Sequence, residues 1–107
     1  MSTALGEKIR RLRMKGGFTL ERLAELTDSS KSYIWELENK NPPRPSAEKL
    51  GRIASALKVT IDYLLDDTGV QTEADATDRA FFRKYEKMDP ATKDRIRKMI
   101  DLWDDKK

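Results

Sequence analysis

Leu5, Ile9 and Leu12 recur at i, i+4 and i+7, with Lys8, Arg10, Arg11 and Arg13 between them. That spacing predicts an amphipathic helix of about three turns, stopped by Gly16-Gly17 as a C-terminal cap. Thr19 stands where an N-cap belongs, Glu21 suits the positive end of a helix dipole, and Leu20, Leu23, Ala24 and Leu26 mark a second, short helix ending near Asp28. Ser29 or Ser30 caps a third helix whose inward residues are Ile34 and Leu37. Residues 39–45 (NKNPPRP) are not helical, because successive prolines remove donors and push the residues before them towards extended conformations. Ser46 caps a fourth helix with Leu50, Ile53, Ala54 and Leu57 along one face, and a short fifth helix from about Thr60 carries Ile61, Leu64 and Leu65.

Residues 66–77 (DDTGVQTEADAT) show no apolar period and are expected to be a linker. Beyond them Phe81, Phe82, Tyr85 and Met88 return to helical spacing. Asp89-Pro90 is a restart signal, a capping carboxylate followed by proline at the first helical position. Ile96, Met99, Ile100 and Trp103 then stripe a last helix, so the end of the chain is expected to be a helical hairpin turning at Lys87-Met88-Asp89. The organisation predicted is a helical body over 1–66, an acidic linker over 67–77 and a hairpin over 78–107. The fold class is all-α: strand-like Val/Thr/Tyr alternation is missing.

Charge sharpens this division. Residues 1–65 carry 12 Lys+Arg against 8 Asp+Glu, residues 66–78 carry 5 acids and no base, and residues 79–107 carry 10 bases against 6 acids. Two basic bodies flank an acidic tether, a balance that suits nucleic acid without demanding it. The absence of Cys and His removes disulfides, thiol nucleophiles, imidazole bases and the zinc sites built on either residue. No cofactor or metal is expected. No apolar run approaches the about 18 residues of a membrane span, and no apolar segment follows the first residues. The expectation is a cytoplasmic protein without a membrane partner.

The block over 19–39, TLERLAELTDSSKSYIWELEN, carries the functional signal. Two short helices are separated by a tight turn, and the second opens on small polar residues. A helix that reads DNA needs this: its first turn approaches base edges while its back packs on the domain. Leu23, Ala24, Ile34 and Leu37 form the predicted back. Ala24 lets the two helices cross closely, and Ser30, Lys31, Ser32, Trp35 and Glu36 project the other way.

Over about residues 5–66 the sequence resembles the phage repressor/Cro, or XRE, family of helix-turn-helix regulators. The resemblance runs through LGEKIRRLR (5–13), TLERLA (19–24), KSYIWELEN (31–39), PSAEKL (45–50) and ALKVTIDYLL (56–65). It departs at Lys40, where the family has glycine, which implies that Asn39 or Asn41 takes the left-handed conformation instead. The resemblance implies a five-helix repressor-type domain that binds double-stranded DNA. By position, Ser30, Lys31, Ser32 and Glu36 meet bases or adjacent phosphates, with Lys31 donating to guanine and Glu36 accepting from cytosine. Trp35 contacts a thymine methyl or the sugars, or packs on Pro42 or Pro43. Thr19 and Leu20 open a helix whose amides face a phosphate, and Asn41 and Arg44 are further phosphate clamps. Arg13 and Glu38 align with a structural ion pair.

Family members dimerise and read half-sites about 34 Å apart. Leu64 and Leu65, with Phe81, Phe82, Tyr85, Ile96, Ile100 and Trp103 of the hairpin, are the candidate interface for a second copy or for a protein partner. A two-helix hairpin cannot bury both apolar faces unaided. The expectation is a dimeric repressor without a self-cleaving peptidase domain, relieved by an antirepressor, an outside protease or dilution. Three rivals stand beside it. One is an antitoxin whose hairpin neutralises a toxin. Another is an enzyme using Asp66-Asp67, Asp75 or Asp104-Asp105 to hold a metal, and the last is an RNA-binding module.

Overall fold

The computed structural model describes residues 3–69 and 71–104, and every regular element among them is helical. The order is α1 (Ala4–Lys15), α2 (Leu20–Leu26), α3 (Lys31–Asn39), α4 (Ala47–Leu57), α5 (Ile61–Leu65), α6 (Glu73–Glu86) and α7 (Pro90–Asp104). Six of the helices start by one device. The hydroxyls of Thr3, Thr19, Ser30, Ser46, Thr60 and Thr72 each accept the backbone N–H three residues on. Each such cap satisfies a donor that the first helical turn leaves unpaired and stabilises by about 1 kcal/mol. Ser30 and not Ser29 caps α3. Gly16 ends α1, and Gly17 takes the left-handed conformation (φ 76°) that turns the chain into α2.

The apolar stripes converge on one core. Ile9, Leu23, Ile34, Ile53 and Leu64 are all but fully buried, surrounded by Leu12, Ala24, Leu37, Leu57, Val59 and Tyr63. α1 and α2 both pack on α3, and α4 and α5 close the bundle from the other side. Lys8 ties the two ends of the domain together. Its ammonium donates to the carbonyls of Tyr63 (2.7 Å) and Asp66 (2.6 Å) at the end of α5 and lies 4.3 Å from the Tyr63 ring centre. A cation at a helix C-terminus meets carbonyls with no intrahelical partner.

Several expectations change. Leu64 is 1% exposed and belongs to the core, so of the α5 pair only Leu65 is left for an interface. Neither Asn39 nor Asn41 is left-handed: α3 continues through Asn39 and leaves through an extended Lys40 (φ −118°, ψ −165°), a conformation that needs no glycine. Among the described residues the left-handed non-glycine positions are Asp28 (φ 54°) and Lys58 (φ 60°). The acidic linker is shorter than 67–77, because Thr72 caps α6 and Glu73–Thr77 are already helical.

The early start of α6 also docks it. Ala76 is fully buried against the five-helix core, and Lys15 pairs with Glu73 at 2.5 Å. From there α6 and α7 run outward as an open hairpin and do not pair along their lengths. Lys93 and Arg97 lie over the Tyr85 ring near the turn. The radius of gyration, 16.1 Å, exceeds the about 13 Å of a compact chain this long. Phe81, Phe82, Met99, Ile100, Leu102 and Trp103 are between 52% and 71% exposed, while Tyr85 and Ile96 are half-buried. No helix among the described residues is long and apolar enough to cross a membrane.

Candidate nucleic-acid interface

α3 is amphipathic in the way a reading helix requires. Ile34, Leu37 and Glu38 are buried, whereas Lys31, Ser32, Trp35 and Glu36 are exposed on the opposite side and Ser30 opens the helix. The Ser30 hydroxyl accepts the Tyr33 N–H at 3.0 Å, so its own proton is left to donate outward. At the start of α2 the Thr19 hydroxyl accepts the Arg22 N–H, and the half-buried Leu20 packs against the core. Thr19 is exposed at the head of α2. Asn41 and Arg44 are exposed in the proline loop, anchored by the buried Pro45.

The rear of α3 is fixed by charge as well as by packing. The Arg13 guanidinium meets Glu38 through two bonds, Nε to Oε2 at 2.6 Å and Nη2 to Oε1 at 3.0 Å, and also donates to the Phe18 carbonyl at 2.8 Å. The Glu38 side chain is 1% exposed and that of Arg13 13%. A bidentate bridge this deep sets how far α3 is rotated about its own axis relative to α1.

Lys49 is a second anchor, and its role was not visible in the sequence. From α4 its ammonium reaches the α2–α3 turn and donates to the carbonyls of Thr27 (2.9 Å) and Asp28 (2.8 Å) and to Ser29 Oγ (2.8 Å). These bonds hold the left-handed Asp28 in place, and Arg52 adds a bridge to its carboxylate at 3.2 Å. Hydrogen bonds to a charged donor contribute about 1.5–3 kcal/mol. Lys49→Met is therefore expected to lower unfolding free energy in urea by about that amount. Unchanged stability would show that the turn holds itself.

Lys31 is not idle in the free protein. Its ammonium pairs with Glu21 of α2 at 2.8 Å, with both side chains well exposed. The hydrogen bond from Lys31, reinforced by its charge, holds the Glu21 carboxyl below the usual carboxylate range. In the free protein the Lys31 ammonium is therefore engaged across the α2–α3 pair. Trp35 is 44% exposed, with the Lys40 ammonium 5.7 Å from its ring centre.

The carboxylates weighed as a metal site do not assemble. Asp66 accepts the Thr68 hydroxyl and the backbone N–H groups of Thr68 and Gln71, which hold its carboxyl below the usual range. Among the described residues no three acidic groups converge. The Asp104 side chain and Asp105 lie outside the described residues.

A helix-turn-helix family model matches residues 9–64. The HTH-type transcriptional regulator SinR of Bacillus subtilis is 32% identical over 63 residues, 59% of this chain and 57% of that protein. SinR of Bacillus licheniformis is 31% identical over 71 residues, covering 66% and 63%. The chain thus matches about three fifths of the length of these relatives. A crystal structure of SinR, the master regulator for biofilm formation, in complex with DNA superposes with a TM-score of 0.55 at 32% identity, over 58% of this chain and 98% of that one. The SinR/SinI protein complex extends the likeness of fold to 96% of this chain, with a TM-score of 0.58 at 22% identity.

Proposed function

The chain belongs to the XRE-type helix-turn-helix family, a family of DNA-binding regulators and not of enzymes, and from that premise we propose that it is a cytoplasmic transcriptional repressor that binds a two-fold symmetric operator as a dimer. The observation that carries the reading is α3: a polar front turn of Ser30, Lys31 and Ser32, exposed beside Trp35 and Glu36, on a rear locked by Ile34, Leu37 and the Arg13–Glu38 bridge. The 32% identity to a regulator solved in complex with DNA, over 58% of this chain, supports it.

Lys31 and Glu36 read base edges, and Thr19, Leu20, Asn41 and Arg44 meet phosphates through their backbone or side chains. Selection of bound duplexes from a random library tests this. Lys31→Ala and Glu36→Ala are each expected to relax preference at one or two base positions, by about 1–3 kcal/mol. Affinity is expected to fall steeply with salt, as several counterions are released per dimer. Uniform weakening on every sequence would demote both residues to backbone contacts, and no preference over scrambled duplex would end the reading.

Leu65, Phe81, Phe82, Tyr85, Ile96, Ile100 and Trp103 form the surface through which two copies join. The open hairpin supports this, since its exposed aromatic and aliphatic side chains leave apolar area that association removes from water. A second reading uses the same surface for a different protein, an antirepressor or a toxin. Light scattering of the purified chain decides: a dimer mass supports the first, and a monomer mass with a stoichiometric partner supports the second.

A further inference from the structure

Between the α4–α5 corner and α6 lies a cavity of about 640 Å³. Ala54, Val59 and Ile61 form its floor, and Ala80 and Phe81 of α6 its wall. Its rim is cationic: Lys58, Arg83, Lys84 and Lys87 border it and no acidic residue does. Beside the groove Lys15 pairs with Glu73, and Arg52 with Glu48 and Asp28. Among the described residues none of the four rim cations is in an ion pair. Like charges gathered without counter-charge are unfavourable unless something negative completes them.

We propose that this groove binds a small amphipathic organic anion, with its apolar body on the Ala54–Val59–Ile61 floor and its acidic head among Lys58, Arg83, Lys84 and Lys87. Volume selects the class of occupant. The cavity falls within the about 300–1,000 Å³ of small-molecule sites. An isolated phosphate of DNA gains nothing from the apolar lining. A ligand here touches both the five-helix body and α6, so its binding stabilises the docked placement of α6 by mass action.

Dodecanoate below its micelle concentration, titrated into the full chain, is a suitable probe. Expected are saturable one-site binding, a raised melting temperature, and amide NMR shifts centred on Gly51, Val59 and Ala80. Dodecan-1-ol, with the same chain and no charge, should bind at least tenfold more weakly. The Lys58→Gln/Lys84→Gln pair should weaken dodecanoate tenfold or more, and Ala80→Trp should abolish its binding while the chain still melts cooperatively. Phosphatidylglycerol vesicles, which present an anionic amphiphile as a surface, should leave the groove amides unmoved. The proposal is overturned by equal affinity for the alcohol, by shifts confined to Ile100–Trp103, or by groove shifts with vesicles and none with dodecanoate. It also fails if the double variant loses DNA affinity while binding dodecanoate as before.

Discussion

Arg13→Met is expected to cost about 3–5 kcal/mol, because it leaves the Glu38 carboxylate buried without its counter-charge. Glu38 is 1% exposed at its side chain and has both oxygens engaged by the one guanidinium, so water cannot replace what is lost. Small domains are stable by about 5–15 kcal/mol, so the variant should be partly unfolded at modest temperature. The companion double variant, Arg13→Met/Glu38→Leu, removes both charges and should recover most of the loss. Buried pairs replaced by apolar groups of like size are close to neutral. Recovery should stop about 1 kcal/mol short, since Arg13 also donates to the Phe18 carbonyl at the α1–α2 turn. Urea unfolding of the four members of the cycle, followed by far-ultraviolet circular dichroism, reads the coupling directly. A single variant that loses less than about 1 kcal/mol would make this an ordinary surface pair. Because Glu38 sits on α3 behind Trp35 and Glu36, the double variant should also bind DNA more weakly at temperatures where it is fully folded. Its stability is then restored but not the bond that sets the helix's rotation.

The sequence showed this pair only through family resemblance, and the reason is general. What repeats along the chain is legible; what meets across it is not. Ile9, Leu12, Leu23, Ile34, Leu37, Ile53 and Leu57 declared themselves by helical spacing, and all are buried. α5 is five residues long, too short for any period to separate the buried Leu64 from the exposed Leu65. The start of α6 was hidden by composition, since acids without apolar neighbours resemble a tether. Thr72 followed by Glu73 and Asp75 was nonetheless a cap with acids in the first turn, which is how helices open. Lys8 and Lys49 look like solvated helix charges until their partners, 55 and 22 residues away, are in view. At the front of α3 the sequence places Lys31 outward, but it does not show that Glu21, a residue that suits the helix dipole, pairs with it.

Gly6→Ala should destabilise the protein by about 3 kcal/mol or more, although alanine is the better helix former by about 1 kcal/mol. Gly6 is the third residue of α1, and a methyl group built there would stand 2.1 Å from the Leu37 carbonyl oxygen and 3.2 Å from its carbon. The obstacle is backbone in α3, so no rotamer change relieves it. α1 must move away from α3 as a body, thinning the contacts of Ile9 and Leu12 with Ile34 and Leu37 and stretching the 2.6 Å Arg13–Glu38 bond. Gly51→Ala is the matched control in α4, where the added methyl meets only Ile61 Cδ1 at 3.8 Å, an ordinary contact. There the propensity term should stand alone, and the variant should gain about 0.5–1 kcal/mol. Equal melting temperatures for the two variants would refute the close approach of α1 to α3. A loss at Gly6 with a gain at Gly51 would show that α3 owes its placement to a point where two helices meet almost backbone to backbone. The helix that presents Lys31 and Glu36 is then held from behind by absence of side chain as much as by Ile34 and Leu37.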